Sequence, residues 1–261
     1  MLNRMLAAAA LALLPALPGV QAAPQAAASS SPLSLLPASV LRSQATRVSR
    51  AVLPRFQPKG WLALVCAPAG CELRPVSLAL GEVEAGADDW SIEARNRKAP
   101  VRGEFTVVLL QGGSLAAGAS VPTWFTLRTP RRVEDAAAGS MGVRIDGQGS
   151  TQGRHWQIVP RWNPHGEPRL RYGLEAAGVK PQVLGPIGME AVERGVGPKD
   201  LLIWAGDLDG DGRIDLITRT GTSAQEPGLV LWLSSRAAPG AQVGEAAQLP
   251  AWVDVTEAEG C

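Results

Sequence analysis

From residue 60 onward the apolar positions come in short runs. WLALVC (61–66), ELRPVSLAL (72–80), FTVVLL (105–110), TWFTLRT (123–129), GVRID (142–146), HWQIVPRW (155–162) and RLRYGLEAAG (169–178) are rich in β-branched and aromatic residues. Clusters of Gly, Pro and Asp separate them. Short runs with this punctuation predict antiparallel strands. Near the end, LLIWA (201–205), RIDLITRT (213–220) and GLVLWLSS (228–235) predict three strands in a meander. Helical periodicity is scarce. SVLRSQATRVSRAVL (39–53) is a candidate short helix, and GMEAVERG (188–195) a weak one. The expected fold is therefore mostly β: an antiparallel β domain over 56–195, then a short C-terminal β-meander over 196–261.

The first residues read differently. Arg4 precedes an apolar run from Met5 to Leu14, Pro15 and Pro18 break it, and Val20-Gln21-Ala22 has a small-x-small pattern. That is the pattern of a secretory signal over residues 1–22, too short and Pro-broken to span a bilayer. An Ala/Ser/Pro-rich linker over 23–55 follows. The expected location is periplasmic or secreted, with no membrane span in the mature chain.

Charge narrows the partners. The chain has 25 Lys and Arg against 24 Asp and Glu, and loss of the leader removes Arg4 alone. A balanced chain gives no reason to expect nucleic acid or an anionic membrane. Export also permits disulfides, and there are three cysteines, Cys66, Cys71 and Cys261. Cys66 and Cys71 would close the tight loop CAPAGC; pairing of Cys261 with either remains open.

Chemistry concentrates in GDLDGDGRIDLI (206–217). Counting from Asp207, carboxylates fall at positions 1, 3, 5 and 9 (Asp207, Asp209, Asp211, Asp215), with Gly210 and Gly212 at positions 4 and 6. Four like charges this close repel unless something neutralises them. A hard cation such as Ca²⁺ takes six to eight oxygens, and alternating aspartates in a tight turn supply them. Glycine at position 6 allows the bend that brings in the carbonyl of Arg213. An EF-hand would need Glu at position 12 within a helix; here Thr218 stands there, beside strand-like flanks. Zn²⁺ is disfavoured because the loop has no His or Cys.

The same stretch resembles the calcium loop of FG-GAP or VCBS-type repeats, found in integrin α-subunit propellers and many exported bacterial proteins. That resemblance implies a β-hairpin carrying D-x-D-G-D-G-x-x-D, with Ca²⁺ held by Asp207, Asp209, Asp211, the Arg213 backbone carbonyl and Asp215. The chain departs from the family by having one such loop, at the end of a sequence too short for the usual number of propeller blades. The expectation is one calcium-clipped β element joined to a separate β domain.

Other constellations are poor. His155 and His165 have no zinc-ligand spacing, and GGSLA (112–116) and GSTQG (149–153) miss the nucleophile elbow. Of the eight tryptophans, Trp61, Trp124, Trp204 and Trp232 sit in apolar runs and read as core; Trp90, Trp162 and Trp252 have polar or Pro-rich neighbours and are candidates for exposure. The leading expectation is thus an exported calcium-binding β protein with Ca²⁺ as a structural ion. It would serve as a binding or structural module of the cell envelope, for a saccharide or an envelope protein. The alternative is a carbohydrate-active hydrolase using 56–195, with Glu82, Glu84, Asp88 or Asp89 in a cleft rimmed by the aspartate loop.

Overall fold

The computed structural model describes residues 32–42, 46–50, 53, 56–81, 89–95, 101–126, 143–146, 155–162, 170–187, 198–220 and 228–249. Among them the protein is mostly β, with sixteen strands and every pairing antiparallel. In chain order the strands are β1 (Ser34–Pro37), β2 (Thr46–Ser49), β3 (Trp61–Ala67), β4 (Gly70–Leu80), β5 (Asp89–Arg95), β6 (Phe105–Gln111), β7 (Ser120–Val121) and β8 (Thr123–Thr126). Then come β9 (Val143–Asp146), β10 (His155–Trp162), β11 (Leu170–Ala176), β12 (Gln182–Ile187), β13 (Leu202–Gly206), β14 (Asp215–Thr220), β15 (Gly228–Leu233) and β16 (Gly244–Leu249). One turn of helix, α1 (Pro198–Leu201), leads into β13.

Three sheets result. The first has seven strands in the order β1-β6-β3-β4-β5-β2, with β7 added on β4. It curls because β4 is long: its first half pairs β3 and its last four residues, Ser77 to Leu80, pair β5. The second is β12-β11-β10-β9 and the third β16-β15-β14-β13-β8.

The third sheet is the middle layer, and alternation along its strands shows why. On β15, Val230 and Trp232 join the core against the second sheet, while Leu229, Leu231 and Leu233 join the core against the first. On β14 Leu216 and Ile217 divide the same way. A strand buried on both faces has no polar face to show, which is why GLVLWL reads as an unbroken apolar run. Buried polar groups tie the layers together. The Tyr172 hydroxyl and the Trp232 indole N–H both reach Thr218 Oγ1, at 3.3 and 2.9 Å, and the Trp124 and Trp156 rings stack at 5.4 Å. The outer face of the first sheet closes over a third core containing Trp61, Phe56, Val48, Ile92 and Leu109.

The expected strands over 61–66, 72–80, 105–110, 123–129, 142–146, 155–162, 169–178, 201–205, 213–220 and 228–235 all have counterparts among the described residues. The helix expected in 39–53 is absent from its described residues. A 3-10 turn at Ala38–Leu41 is followed by β2, because Val48 is drawn into the third core and the backbone pairs with β5. β1 and β2 arise in the 23–55 segment and form the two edges of the first sheet. The signal segment, GMEAVERG and Cys261 lie outside the described residues. No helix among the described residues is long and apolar enough to cross a membrane.

Cys66 and Cys71 face each other across the β3–β4 hairpin with their sulfurs at disulfide distance, and both are buried. Closing so short a loop contributes about 2 kcal/mol by chain entropy. The Cys66→Ala/Cys71→Ala double variant is expected to lose at least about that much in urea unfolding, since its core also loses two sulfurs. An unchanged midpoint would show that the link adds nothing to stability.

Of the tryptophans read as core, all four are buried: Trp61, Trp124, Trp204 and Trp232. Trp90 is half-buried, donates its indole N–H to the Leu53 carbonyl at 2.8 Å and lies under the Arg50 guanidinium. Trp252 and the Trp162 side chain fall outside the described residues.

Candidate metal centre

The aspartate loop joins β13 to β14, with Gly206 and Asp215 paired at its foot. Leu208 enters the core on one side of the middle sheet and Ile214 the core on the other, so the loop is anchored on both faces. Its start is also tied sideways, as Asp207 N donates to the Pro122 carbonyl at 2.9 Å. Gly206 makes that approach possible. A Cβ there would stand 2.2 Å from the Pro122 oxygen and 2.4 Å from the Trp204 ring. Gly210 and Gly212 take φ of +78° and +77°, the left-handed region open to glycine at little cost.

With the backbone bent in this way, the carboxylates organise it. Asp207 accepts from Gly210 N and Gly212 N, both at 2.8 Å, one on each oxygen. Asp215 accepts from Leu208 N at 2.7 Å and, at a longer 3.4 Å, from Asp209 N. Its other oxygen accepts from Ser234 N at 2.8 Å. Asp211 accepts from Arg213 N at 2.8 Å and from the Ser234 hydroxyl at 2.6 Å. Asp209 accepts from Asp211 N at 3.4 Å and from the Ser235 hydroxyl.

Three of these carboxylates converge. Asp207, Asp209 and Asp215 each place an oxygen within 4.8 Å of the others, and no other group of three His, Cys, Asp or Glu does so among the described residues. Asp207 and Asp215 are buried and Asp209 is half-buried. Asp211 stands exposed, outside this group, and Arg213 is seen through its N–H on Asp211.

The electrostatics are unfavourable as they stand. Burial pushes the Asp215 carboxyl up to about 7, and the negative charge of Asp209 adds to this, against the backbone N–H groups of Ser234 and Leu208. Asp207 is also raised, first by burial and then by its acidic neighbours, against N–H bonds from Gly212 and Gly210. Backbone N–H groups carry no net charge to cancel the carboxylates, and neither Asp207 nor Asp215 has an ion-pair partner among the described residues. A buried carboxylate in this state takes up a proton or binds a cation. The donor set is oxygen alone, so the group could hold a hard metal ion.

Sequence reasoning missed Ser234 and Ser235. They form the 3-10 turn Ser234–Arg236 directly after β15. Since Leu216 pairs with Trp232, residues just beyond Trp232 return alongside the foot of the loop. Two hydroxyls at the end of the neighbouring strand were the available signal, and the meander register was needed to read it.

The other candidates lie elsewhere. His155 is exposed on β10, with Nδ1 3.2 Å from Asp146 Oδ1 on β9. Asp89 begins β5 and pairs with Ser49 at the edge of the first sheet. Glu82, Glu84, Asp88, His165 and GSTQG lie outside the described residues.

No protein-family model, no curated protein and no solved structure matches the chain.

Proposed function

We propose that this is an exported β protein stabilised by one Ca²⁺ ion, serving as a binding or structural module of the cell envelope. The observation that carries the reading is the convergence of Asp207, Asp209 and Asp215, two of them buried, with no cationic partner among the described residues. Asp211 and the Arg213 carbonyl would complete the shell, as the FG-GAP resemblance implies. Ca²⁺ suits the site better than Mg²⁺, which demands rigid octahedral geometry and keeps its waters. The cation would supply the charge that the loop lacks.

The role assigned to the ion is structural. The loop is the turn of a hairpin in the middle layer, and its carboxylates already bond to residues of the β15–β16 connection, so a cation there would brace two turns of one sheet. Extracellular calcium modules bind at about 10⁻⁴–10⁻³ M. At about 1 mM Ca²⁺ and a Kd of about 0.1 mM, mass action stabilises the fold by about 1.4 kcal/mol. For a domain of this size that corresponds to a rise of about 3–6 °C in Tm.

The test is thermal unfolding of residues 24–261 in EDTA and in graded CaCl₂, beside the Asp209→Ala/Asp211→Ala double variant. Tm is expected to rise with Ca²⁺ in the native chain and to stay flat in the variant. A native chain indifferent to Ca²⁺ would remove the calcium reading.

A further inference from the structure

The loop's four carboxylates are not held alike. Asp207 is gripped twice by its own loop, through Gly210 N and Gly212 N. Asp209 and Asp211 have less local support. Asp209 has a single long contact at 3.4 Å from Asp211 N, and Asp211 has one N–H bond from Arg213. Both stand where water can reach them, and their mutual repulsion would swing them apart on freely rotating side chains.

What restrains them comes from a different part of the chain. The Ser235 hydroxyl donates to Asp209 Oδ2 and the Ser234 hydroxyl to Asp211 Oδ2, while Ser234 N donates to Asp215 Oδ1. Three of the four aspartates are therefore bonded from one turn lying 19 to 26 residues away in sequence. That turn has a fixed seat. Ser234 is buried, and a Cβ on Gly244 of β16 would stand 2.0 Å from the Arg236 carbonyl oxygen, so the end of the turn lies directly against the β16 backbone.

We propose that Ser234 and Ser235 are positioning residues of the metal centre, so that the β15–β16 connection as well as the aspartate loop sets how tightly the ion is held. This rests on the calcium reading above. The hydroxyls do not need to touch the ion. Each occupies one lone pair of its carboxylate oxygen and leaves the rest for a cation, fixing the rotamer before the ion arrives. At Ser235 this preorganisation acts on affinity and not on the fold, because that side chain is exposed and its removal opens no cavity.

The experiment is calorimetric titration of the full mature chain with CaCl₂, comparing wild type with Ser235→Ala, Ser235→Thr and the Ser234→Ala/Ser235→Ala double variant. Groups that orient metal ligands are typically worth tenfold or more in affinity. The double variant is expected to bind about tenfold more weakly and Ser235→Ala several-fold more weakly. Ser235→Thr keeps the hydroxyl and is expected to recover most of the loss. The Tm of Ser235→Ala in EDTA is expected to match wild type. Native affinity in the double variant, tighter binding on loss of the hydroxyls, or no recovery with threonine would each overturn the assignment while leaving the calcium site standing. A wild-type chain that binds no Ca²⁺ would overturn both.

Discussion

In millimolar Ca²⁺, Asp215→Ala is expected to lower the unfolding free energy by about 3–7 kcal/mol and to abolish the calcium response. Asp215 is fully buried, and its two oxygens hold Leu208 N at 2.7 Å and Ser234 N at 2.8 Å. Alanine leaves both N–H groups without an acceptor at the buried foot of the loop, at about 1–3 kcal/mol each. The contribution of about 1.4 kcal/mol expected of the proposed ion would go with them. In EDTA the loss is expected to be smaller, because the variant also removes a carboxylate whose burial is unfavourable. Asparagine is no rescue: either way round, its amide NH₂ faces a backbone N–H where an oxygen is required. Urea unfolding of the three proteins with and without Ca²⁺ tests this, and a variant as stable as wild type in Ca²⁺ would show that Asp215 does not organise the loop.

The second large effect is on pH. Without a cation, Asp215 has a folded-state pKa of about 7, raised first by burial and then by Asp209, above an ordinary value of 3.8. The folded chain therefore holds this proton more tightly than the unfolded one. The associated stability is fully present below about pH 4 and is lost as pH rises through 7, a change of a few kcal/mol. Asp207, also raised, acts in the same direction. With Ca²⁺ the sign reverses. On the proposed calcium reading the ion would replace the proton and favour the charged carboxylates, so stability is expected to build as pH rises from about 4. The gap in Tm between CaCl₂ and EDTA should thus widen steadily between pH 5 and 8. A gap independent of pH would mean that binding displaces no proton from these aspartates.

Much of the candidate site was legible along the chain, because its parts are adjacent in sequence. Alternation of Asp207, Asp209, Asp211 and Asp215 with Gly210 and Gly212 reports local backbone geometry directly, and the structure bends there as the glycines require. Its division into three converging carboxylates and one on the rim was not legible. Asp211 is held by Ser234, a contact between residues 23 apart that depends on how β14 meets β15.

Strands with continuous apolar runs, such as β3 and β15, declared themselves because both of their faces are buried, and β10 did so through its two-residue period. β1, β2, β5, β12 and β16 did not. They are short or lie at or beside a sheet edge, where pairing with a neighbour and not their own composition makes them strands. The 39–53 stretch shows the same limit: its local pattern favours a helix, and partners distant in sequence make part of it β2.

Sequence by itself thus determined the β character and the gathering of carboxylates in the aspartate loop, since each rests on residues within a few positions of one another, while the structure chose Cys66–Cys71 among the open cysteine pairings. Only the tertiary structure decided that the C-terminal meander, extended by β8, is the middle layer between two sheets. It alone also brought the Ser234–Arg236 turn against the loop. The physical reason is the same in both cases. An apolar strand face or a serine hydroxyl states that it needs a partner, while the identity of that partner is set by which sheets stack and in what register.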